Sequence, residues 1–226
     1  MVVAKAGSKL DCLLFDLDGV IADSRYAIAR SINHALAVHD LPEQPEPALL
    51  HYIGPPLLHA FRDLLGRLDA DPALADACVA AYRERYTKAC LVETLPYPGV
   101  DRAVEALAAR LPLAVATSKP THFAEPILAE LGLRESFQGV FGPTLEAREE
   151  TKPATVARAL DALGRPDAAA LVGDRRHDVE AARENGIASI GVTWGFGSRD
   201  ELTLAGADHV LDSPAELLAL LLVESG

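Results

Sequence analysis

The stretch Cys12-Leu13-Leu14-Phe15-Asp16-Leu17-Asp18-Gly19-Val20 decides the fold, because a short apolar run passes directly into two carboxylates and a glycine. Four consecutive apolar residues of this kind are typical of a buried strand. Residues two apart in an extended segment point to the same side, so Asp16 and Asp18 should project together. Ligands of an open parallel sheet bind beyond the carboxyl ends of its strands. The stretch therefore predicts a strand that ends in a reactive site.

Similar apolar runs recur along the chain, with helical patterns between most of them. The runs are Cys12–Phe15, Leu113–Ala116, Val140–Phe141, Ala168–Val172, Ser189–Val192 and His209–Leu211. The helical patterns are Val100–Ala109, Phe123–Leu131, Ala154–Leu163, Val179–Glu184 with the stop Asn185-Gly186, and a terminal helix at Leu217–Val223. This alternation predicts an α/β fold in three layers, with helices on both faces of a parallel sheet.

The interval between the first strand and Leu113 is too long for one crossover helix with two short loops. Within it, Ser24–Val38 places apolar residues near one helical face, and Pro72–Leu91 repeats small and apolar residues among Arg and Glu. We therefore expect an inserted, all-helical cap domain. The predicted boundaries are residues 1–22 and 94–226 for the core and 23–93 for the cap, with hinges at Ile21–Ser24 and Thr94–Gly99.

Composition excludes several classes of function. The formal net charge of -12 argues against nucleic-acid polymers and anionic membranes, because both need many exposed Lys and Arg residues. Three widely spaced cysteines favour a reducing cytoplasm over a disulfide framework or structural zinc. Met1–Lys9 contains no apolar stretch long enough for a signal peptide, and no membrane-length run occurs in the sequence. We expect a cytoplasmic monomer or homodimer that acts on a small molecule.

Polar residues follow the predicted strands at positions where their chemistry could converge on one phosphate. They are Asp16, Asp18 and Gly19; Thr117, Ser118 and Lys119; Lys152, just before the next long helix; and Asp174 and Asp178. Asp16 could attack phosphorus while Asp18 donates a proton to the leaving oxygen and later removes one from water.

The anions of such a site need compensation. Asp16, Asp174 and a phosphate dianion repel one another, so a hard divalent cation is required, and Mg²⁺ is expected. Asp178 could bind a metal water or orient the other ligands. Hydrogen bonds from Thr117 and Ser118 and the positive charge of Lys152 would stabilise the phosphoryl oxygens. Gly19 would let the backbone approach the phosphate closely.

The ordered set of motifs resembles the haloacid dehalogenase superfamily. The motifs are Asp16-Leu17-Asp18-Gly19-Val20-Ile21, Ala116-Thr117-Ser118-Lys119, Lys152-Pro153 and Gly173-Asp174-Arg175-Arg176-His177-Asp178. This resemblance implies a Rossmann-like core with a small helical cap. It also implies nucleophile Asp16, acid/base Asp18, phosphate contacts by Thr117 and Lys152, and Mg²⁺ held by Asp16, Asp174 and the backbone carbonyl of Asp18.

Two further segments resemble the phosphoglycolate phosphatase-like branch of that superfamily. Tyr52-Ile53-Gly54-Pro55-Pro56-Leu57 is similar to its substrate-facing cap loop, and Gly191–Ser198 is similar to a late segment of the branch. The resemblance implies a phosphoric monoester hydrolase acting on a small phosphomonoester, either phosphoglycolate-like or a nucleoside monophosphate. Gly54 and Lys119 are the candidate specificity residues.

Simpler interpretations stay open for several residues. Asp-x-Asp-Gly alone is common in turns, and an acidic residue such as Asp178 is favoured in the first turn of any helix. Ser118 could merely cap the following helix, Lys119 could be a surface lysine, and Arg175 to His177 could form an exposed helix start. The alternative functions are a beta-phosphoglucomutase-like phosphomutase, a dehalogenase, and a non-catalytic phosphate- or partner-binding relative.

Overall fold

The structure is a computed structural model that describes residues 10–147 and 150–222. Met1–Lys9 and the last residue of the predicted terminal helix, Val223, lie outside the described residues. The chain divides into two compact units, one of residues 1–23 and 96–226 and the other of residues 24–95. The interpretation of the smaller unit as a substrate cap with flanking hinges stays a prediction.

The larger unit is built on a parallel sheet. In chain order the strands are β1 (Cys12–Phe15), β2 (Ala22–Asp23), β3 (Leu95–Pro96), β4 (Leu113–Ala116), β5 (Gly139–Phe141), β6 (Ala169–Gly173), β7 (Ala188–Val192) and β8 (His209–Leu211). All except the two-residue β2 and β3 form one six-stranded sheet in the order β5-β4-β1-β6-β7-β8. Leu14 of β1 lies opposite Ala114 on one side and Leu171 on the other. The predicted α/β fold is confirmed.

Helices occupy most of the remaining chain. They are α1 (Arg25–Val38), α2 (Glu46–Leu49), α3 (Leu57–Arg67), α4 (Ala75–Ala89), α5 (Val100–Ala108), α6 (Thr121–Glu130), α7 (Lys152–Ala162), α8 (Arg176–Glu184), α9 (Arg199–Ala205) and α10 (Pro214–Leu222). Short 3₁₀ turns occur at Leu50–Tyr52, Pro72–Leu74 and Arg134–Ser136. Within the described ranges, no helix is both long enough and apolar enough to cross a membrane.

Alternate side chains of β1 enter different layers of the core. Cys12 and Leu14 are fully buried in a cluster with Val156 of α7 and Ala182 of α8, and α7 packs against α8. Leu13 and Phe15 must therefore face the opposite layer, where the Phe15 ring meets Phe137 edge-on with centroids 5.9 Å apart. The hydrophobic layers on both sides fix the plane of the sheet and thus the edge at which its strands end.

The smaller unit is helical, and α4 packs against both α1 and α3. Aromatic rings fill its interior: Tyr82 and Tyr86 stack with centroids 5.2 Å apart, and Phe61 meets Tyr82 edge-on at 6.2 Å. Arg85 binds both carboxylate oxygens of Glu93 at 2.9 and 3.1 Å. These contacts hold the unit together internally.

Two local predictions about helix starts are wrong. Lys152 is the first residue of α7 instead of preceding it, because Thr151 is the N-cap and its hydroxyl accepts a hydrogen bond from the Ala154 amide. The cap position of α6 belongs to Pro120, so Ser118 does not cap that helix. Apolar periodicity marks the buried face of a helix and gives little information about its polar first turn.

Candidate active site

Three buried carboxylates lie at the edge of the sheet where β1 and β6 end. Asp16, Asp174 and Asp178 each offer an oxygen within 4.8 Å of the others. Asp16 and Asp174 directly follow two neighbouring strands, whereas Asp178 comes from the first turn of α8. The Asp16 amide donates to the Val172 carbonyl at 2.9 Å, which continues the pairing of β1 with β6 into the site.

A buried lysine balances part of this charge. Lys152 Nζ lies 2.7 Å from Asp16 Oδ2 and 2.8 Å from Asp178 Oδ1, and 6% of its side chain is exposed. Burial alone would lower the pKa of Lys152, but the two carboxylates outweigh that effect and hold the pKa above its usual value. Lys152 therefore stays an ammonium ion at neutral pH.

One lysine does not neutralise three carboxylates. Burial raises the pKa of Asp174 well above its usual value, and the charges of Asp178 and Asp16 raise it further. Burial also raises the pKa of Asp178 to about 6, although Lys152 opposes the shift. Close carboxylates that share a buried site resist joint ionisation unless more positive charge is bound.

The oxygen atoms of Asp174 have different environments. Oδ2 accepts a 2.6 Å hydrogen bond from the Phe196 amide. Oδ1 is buried and has no hydrogen-bond partner among the described residues. A surplus of carboxylate charge together with an unpartnered buried oxygen fits a hard divalent cation such as Mg²⁺, which prefers oxygen ligands and binds through one or two carboxylates.

Asp18 has a different partner from Asp16. Its Oδ2 lies 2.9 Å from Lys119 Nζ, and 5% of the Lys119 side chain is exposed. The interpretation of Lys119 as a surface lysine is therefore wrong, because the polar loop after β4 turns this side chain inward. The two carboxylates of the first motif thus contact two separate lysines, which gives them different electrostatic settings.

Gly19 passes directly beside Asp174. Its φ is +84°, and an added Cβ would lie 2.1 Å from Asp174 Oδ2. Gly195 is similarly confined, since a Cβ there would lie 2.2 Å from the Gly19 carbonyl oxygen. Only residues without a side chain fit this contact between two loops, because a real Cβ does not approach other atoms so closely.

The hydroxyl pair follows β4, the other neighbour of β1. Thr117 is buried, its amide donates to the Phe141 carbonyl at 2.8 Å, and its Oγ1 accepts from the Lys119 amide at 3.2 Å. Ser118 is half-buried. The parallel strands β4, β1 and β6 therefore bring the core candidates to one sheet edge, namely Asp16, Asp18, Gly19, Thr117, Ser118, Lys119, Lys152, Asp174 and Asp178. Their catalytic roles stay predictions.

Gly54 belongs to the smaller unit, where it precedes α3. It is exposed, its φ is +107°, and an added Cβ would meet no atom within 4 Å. Beside it, the Tyr52 hydroxyl donates to Asp63 Oδ2 at 2.7 Å, which ties the loop to α3. Glycine is needed here for backbone conformation, and its contribution to specificity stays a prediction.

The expectation of an exposed helix start is wrong for Arg175. This residue is half-buried, and its Nε donates to Glu201 Oε1 at 2.9 Å. The partner comes from α9, so local sequence could not reveal it. Arg176 is exposed as expected, whereas His177 is half-buried and lies 3.6 Å from Glu180.

Sequence reasoning also missed the amide of Phe196 and the carboxylate of Glu201. The available signal was the Gly195-Phe196-Gly197 pattern after a strand-like run, since closely spaced glycines mark a close backbone approach. Trp194 lies in the same loop and donates through Nε1 to the Val20 carbonyl at 3.0 Å. The loop after β7 therefore contacts both the first motif and Asp174.

Comparisons with known proteins agree with this geometry. The family described as haloacid dehalogenase-like hydrolase matches residues 13–192. A 5′-nucleotidase of Pseudomonas aeruginosa is 39% identical over 210 residues, which cover 92% of each chain. A phosphoglycolate phosphatase of Haemophilus influenzae is 32% identical over 216 residues, 92% of this chain and 96% of that protein.

A solved structure leads to the same result. The crystal structure of a predicted phosphatase from Clostridium acetobutylicum has a TM-score of 0.87 and 33% identity, and the match covers 95% of this chain and 99% of that one. This chain belongs to the haloacid dehalogenase-like hydrolase family. Within that family it is a phosphatase, a phosphoric monoester hydrolase.

Proposed function

We propose that this phosphatase hydrolyses a small organic phosphomonoester with Mg²⁺, through an aspartyl phosphate formed on Asp16. The observation that carries the proposal is the buried cluster of Asp16, Asp174 and Asp178, with Lys152 bridging two of them. Asp16 is the carboxylate of this cluster that has a further carboxylate, Asp18, two residues along the chain, where it can act as acid and base. It is therefore the nucleophile, while Asp174 and Asp178 supply cation-binding charge.

The cation would be held by Asp16, Asp174 and the backbone carbonyl of Asp18, with Asp178 orienting the set. When bound, Mg²⁺ neutralises the carboxylates and polarises the phosphoryl oxygens, so that two anions can approach each other. The unpartnered Oδ1 of Asp174 supports this assignment, because a buried carboxylate oxygen without a donor is costly unless a cation contacts it.

The reaction then proceeds in two displacements. In the first, a carboxylate oxygen of Asp16 forms a bond to phosphorus while the bond to the ester oxygen breaks, and Asp18 gives its proton to the departing alkoxide. In the second, Asp18 removes a proton from water, and the water oxygen displaces phosphate from Asp16. Lys152, the hydroxyls of Thr117 and Ser118, and the amide of Ser118 bind the phosphoryl oxygens throughout.

The names of two relatives support a proposal for the substrate class. The similar proteins are named a 5′-nucleotidase and a phosphoglycolate phosphatase, so we propose a nucleoside monophosphate or a phosphoglycolate-like ester. Gly54 and Lys119 are the proposed specificity residues. We also propose a monomer or homodimer in a reducing cytoplasm, which suits three cysteines that are all buried thiols.

The test is a panel of phosphomonoesters assayed with Mg²⁺ and with a chelator, using the wild type and Asp16→Asn. The isosteric amide cannot act as the nucleophile, so kcat should fall by at least about 10³-fold. Asp101→Asn is the matched control, because it removes the same charge from the exposed first turn of α5 and should leave kcat unchanged.

Three outcomes would contradict the proposal. Turnover in chelator, or full activity of Asp16→Asn, would exclude the metal-dependent aspartyl phosphate. Transfer of phosphate between two positions of one sugar, with little free phosphate released, would select the phosphomutase. No turnover of any ester by the folded wild type would favour a binding relative.

A further inference from the structure

We propose that Glu201 of α9 is a positioning residue for the cation site, because it fixes the start of α8 and so aims Asp174 and Asp178. The inference rests on the proposed cation site. Glu201 itself touches neither the acid cluster nor a reacting atom in the contacts described above. Its effect must therefore pass through Arg175 and Arg176, the two residues that directly follow Asp174 and begin α8.

A single oxygen of Glu201 holds both of these residues. Oε1 accepts from Arg175 Nε at 2.9 Å and from the Arg176 amide at 3.0 Å. The side chains of Arg175 and Glu201 are 14% and 25% exposed, so solvent screens the pair less than an exposed one. The direction in which the chain leaves Asp174 is thereby fixed from α9.

Arg175 is held from the other side by Asp178. The Arg175 amide donates to Asp178 Oδ2 at 3.1 Å, and Asp178 Oδ1 faces Lys152 at 2.8 Å. One oxygen of Asp178 is thus occupied by the backbone, and the other is turned into the cluster. If Arg175 moves, the hydrogen bond that orients Asp178 is lost with it.

The loop Phe196–Ser198, which leads into α9, orients Asp174. The Phe196 amide donates to Asp174 Oδ2 at 2.6 Å, and a Cβ on Gly197 would lie 1.8 Å from the Asp174 carbonyl oxygen. The next residue, Ser198, caps α9 by accepting from the Glu201 amide at 3.1 Å. Glu201 and the Phe196–Ser198 loop therefore together hold Asp174 and leave its Oδ1 as the oxygen that would bind the cation.

A simple charge effect and a positioning effect predict different metal affinities for variants of α9. Any acid near a cation site attracts cations through long-range electrostatics, and Asp200 carries the same charge on the adjacent, exposed position of α9. Asp200→Asn is therefore the control for Glu201→Met. Both variants remove one negative charge, but only Glu201→Met removes the oxygen that accepts from Arg175 Nε and from the Arg176 amide.

The experiment measures binding of Mn²⁺, a substitute for Mg²⁺, to the full chain by the EPR signal of the free ion. Loss of groups that orient metal ligands costs about 10- to 100-fold in affinity, so Glu201→Met should raise the Kd about 10-fold or more. The Kd of Asp200→Asn should stay within about twofold of the wild-type value, because solvent screens an exposed charge. In the phosphatase assay, Glu201→Met should need more Mg²⁺ while keeping most of its kcat at saturating Mg²⁺.

The outcomes separate the two proposals. If the wild type binds Mn²⁺ no better than Asp174→Asn, the proposed cation site is wrong. If the wild type binds Mn²⁺ and Glu201→Met has the same affinity as Asp200→Asn, the positioning role is overturned while the site stands. Arg175→Lys decides the matter if Glu201→Met does not fold, since it keeps the charge but loses the Nε donor. Unchanged affinity in that variant would also overturn the proposal.

Discussion

Replacing Gly19 with alanine should damage the protein in two separable ways. The backbone at Gly19 has a φ of +84°, which L-residues other than glycine adopt at a cost of about 1–2 kcal/mol. The added Cβ would also lie 2.1 Å from Asp174 Oδ2 and 2.4 Å from its Cγ. Because real Cβ atoms stay at least 3.0 Å from such neighbours, Asp174 or the loop must move by about 1 Å.

The two effects have different consequences. Overpacking of a buried site typically costs about 1–3 kcal/mol, so the total loss of unfolding free energy should reach about 2–5 kcal/mol. A displacement of about 1 Å at Asp174 would misalign the proposed cation ligands and should lower kcat/KM by about 10²-fold. The first quantity is measured by urea unfolding in chelator and the second by steady-state kinetics with saturating Mg²⁺.

Gly132→Ala separates strain from displacement. Gly132 has a φ of +72°, and an added Cβ would meet no atom within 4 Å, so this variant carries the strain alone. It should lose about 1–2 kcal/mol and keep full activity. If Gly19→Ala is as active as Gly132→Ala, the close contact with Asp174 has no functional importance and the reasoning is refuted.

Two further predictions concern ion pairs. Lys152→Met leaves Asp16 and Asp178 without their buried partner and should lower the free energy of unfolding in chelator by about 3–5 kcal/mol. The control Lys88→Met breaks an exposed ion pair and should lower it by under about 1 kcal/mol. Equal losses of the two variants in urea unfolding would contradict this prediction. The hydrogen bonds from Arg85 lower the pKa of Glu93 below its usual value of 4.5. The ionised carboxylate therefore stabilises the folded protein fully above the usual pKa, and this contribution disappears as the pH falls through the lower pKa of the folded state. Glu93→Gln should therefore lower the free energy of unfolding by about 1 kcal/mol at pH 7 and by progressively less in acid. A loss that stays constant from pH 7 to pH 3 would show that the Arg85–Glu93 ion pair does not cause the loss of stability.

The middle of the sheet could be predicted from the sequence because β1, β4 and β6 are buried along their whole length. Runs such as Leu113–Ala116 are apolar throughout, and the structure reproduces this strand with the same bounds. Helices with a strong apolar stripe were also found, including Val100–Ala108 to within one residue. The predicted starts of α7 and α8 were less accurate, because both helices begin with polar residues of the candidate site.

The charged partners of the candidate site could be predicted only in part. The cluster of Asp16, Asp174 and Asp178 follows from strand order, since parallel strands end at one edge. The contact of Lys119 with Asp18 does not follow, because a lysine stem reaches several positions from one Cα and nothing local selects one of them. The contact of Glu201 with Arg175 could not be predicted for a related reason, because the two residues are 26 positions apart in the chain.

The difference between Glu201 and Asp200 shows what decides the role of an acidic residue in this fold. Both lie in the first turn of α9, where any carboxylate is favoured by the helix dipole, so local sequence treats them alike. Only Glu201 reaches the backbone that leads out of Asp174, and the loop before α9 lies close to that backbone because Gly195 and Gly197 carry no Cβ. On our proposal, a residue with no reactive role controls the cation site, provided that glycines bring its helix close enough.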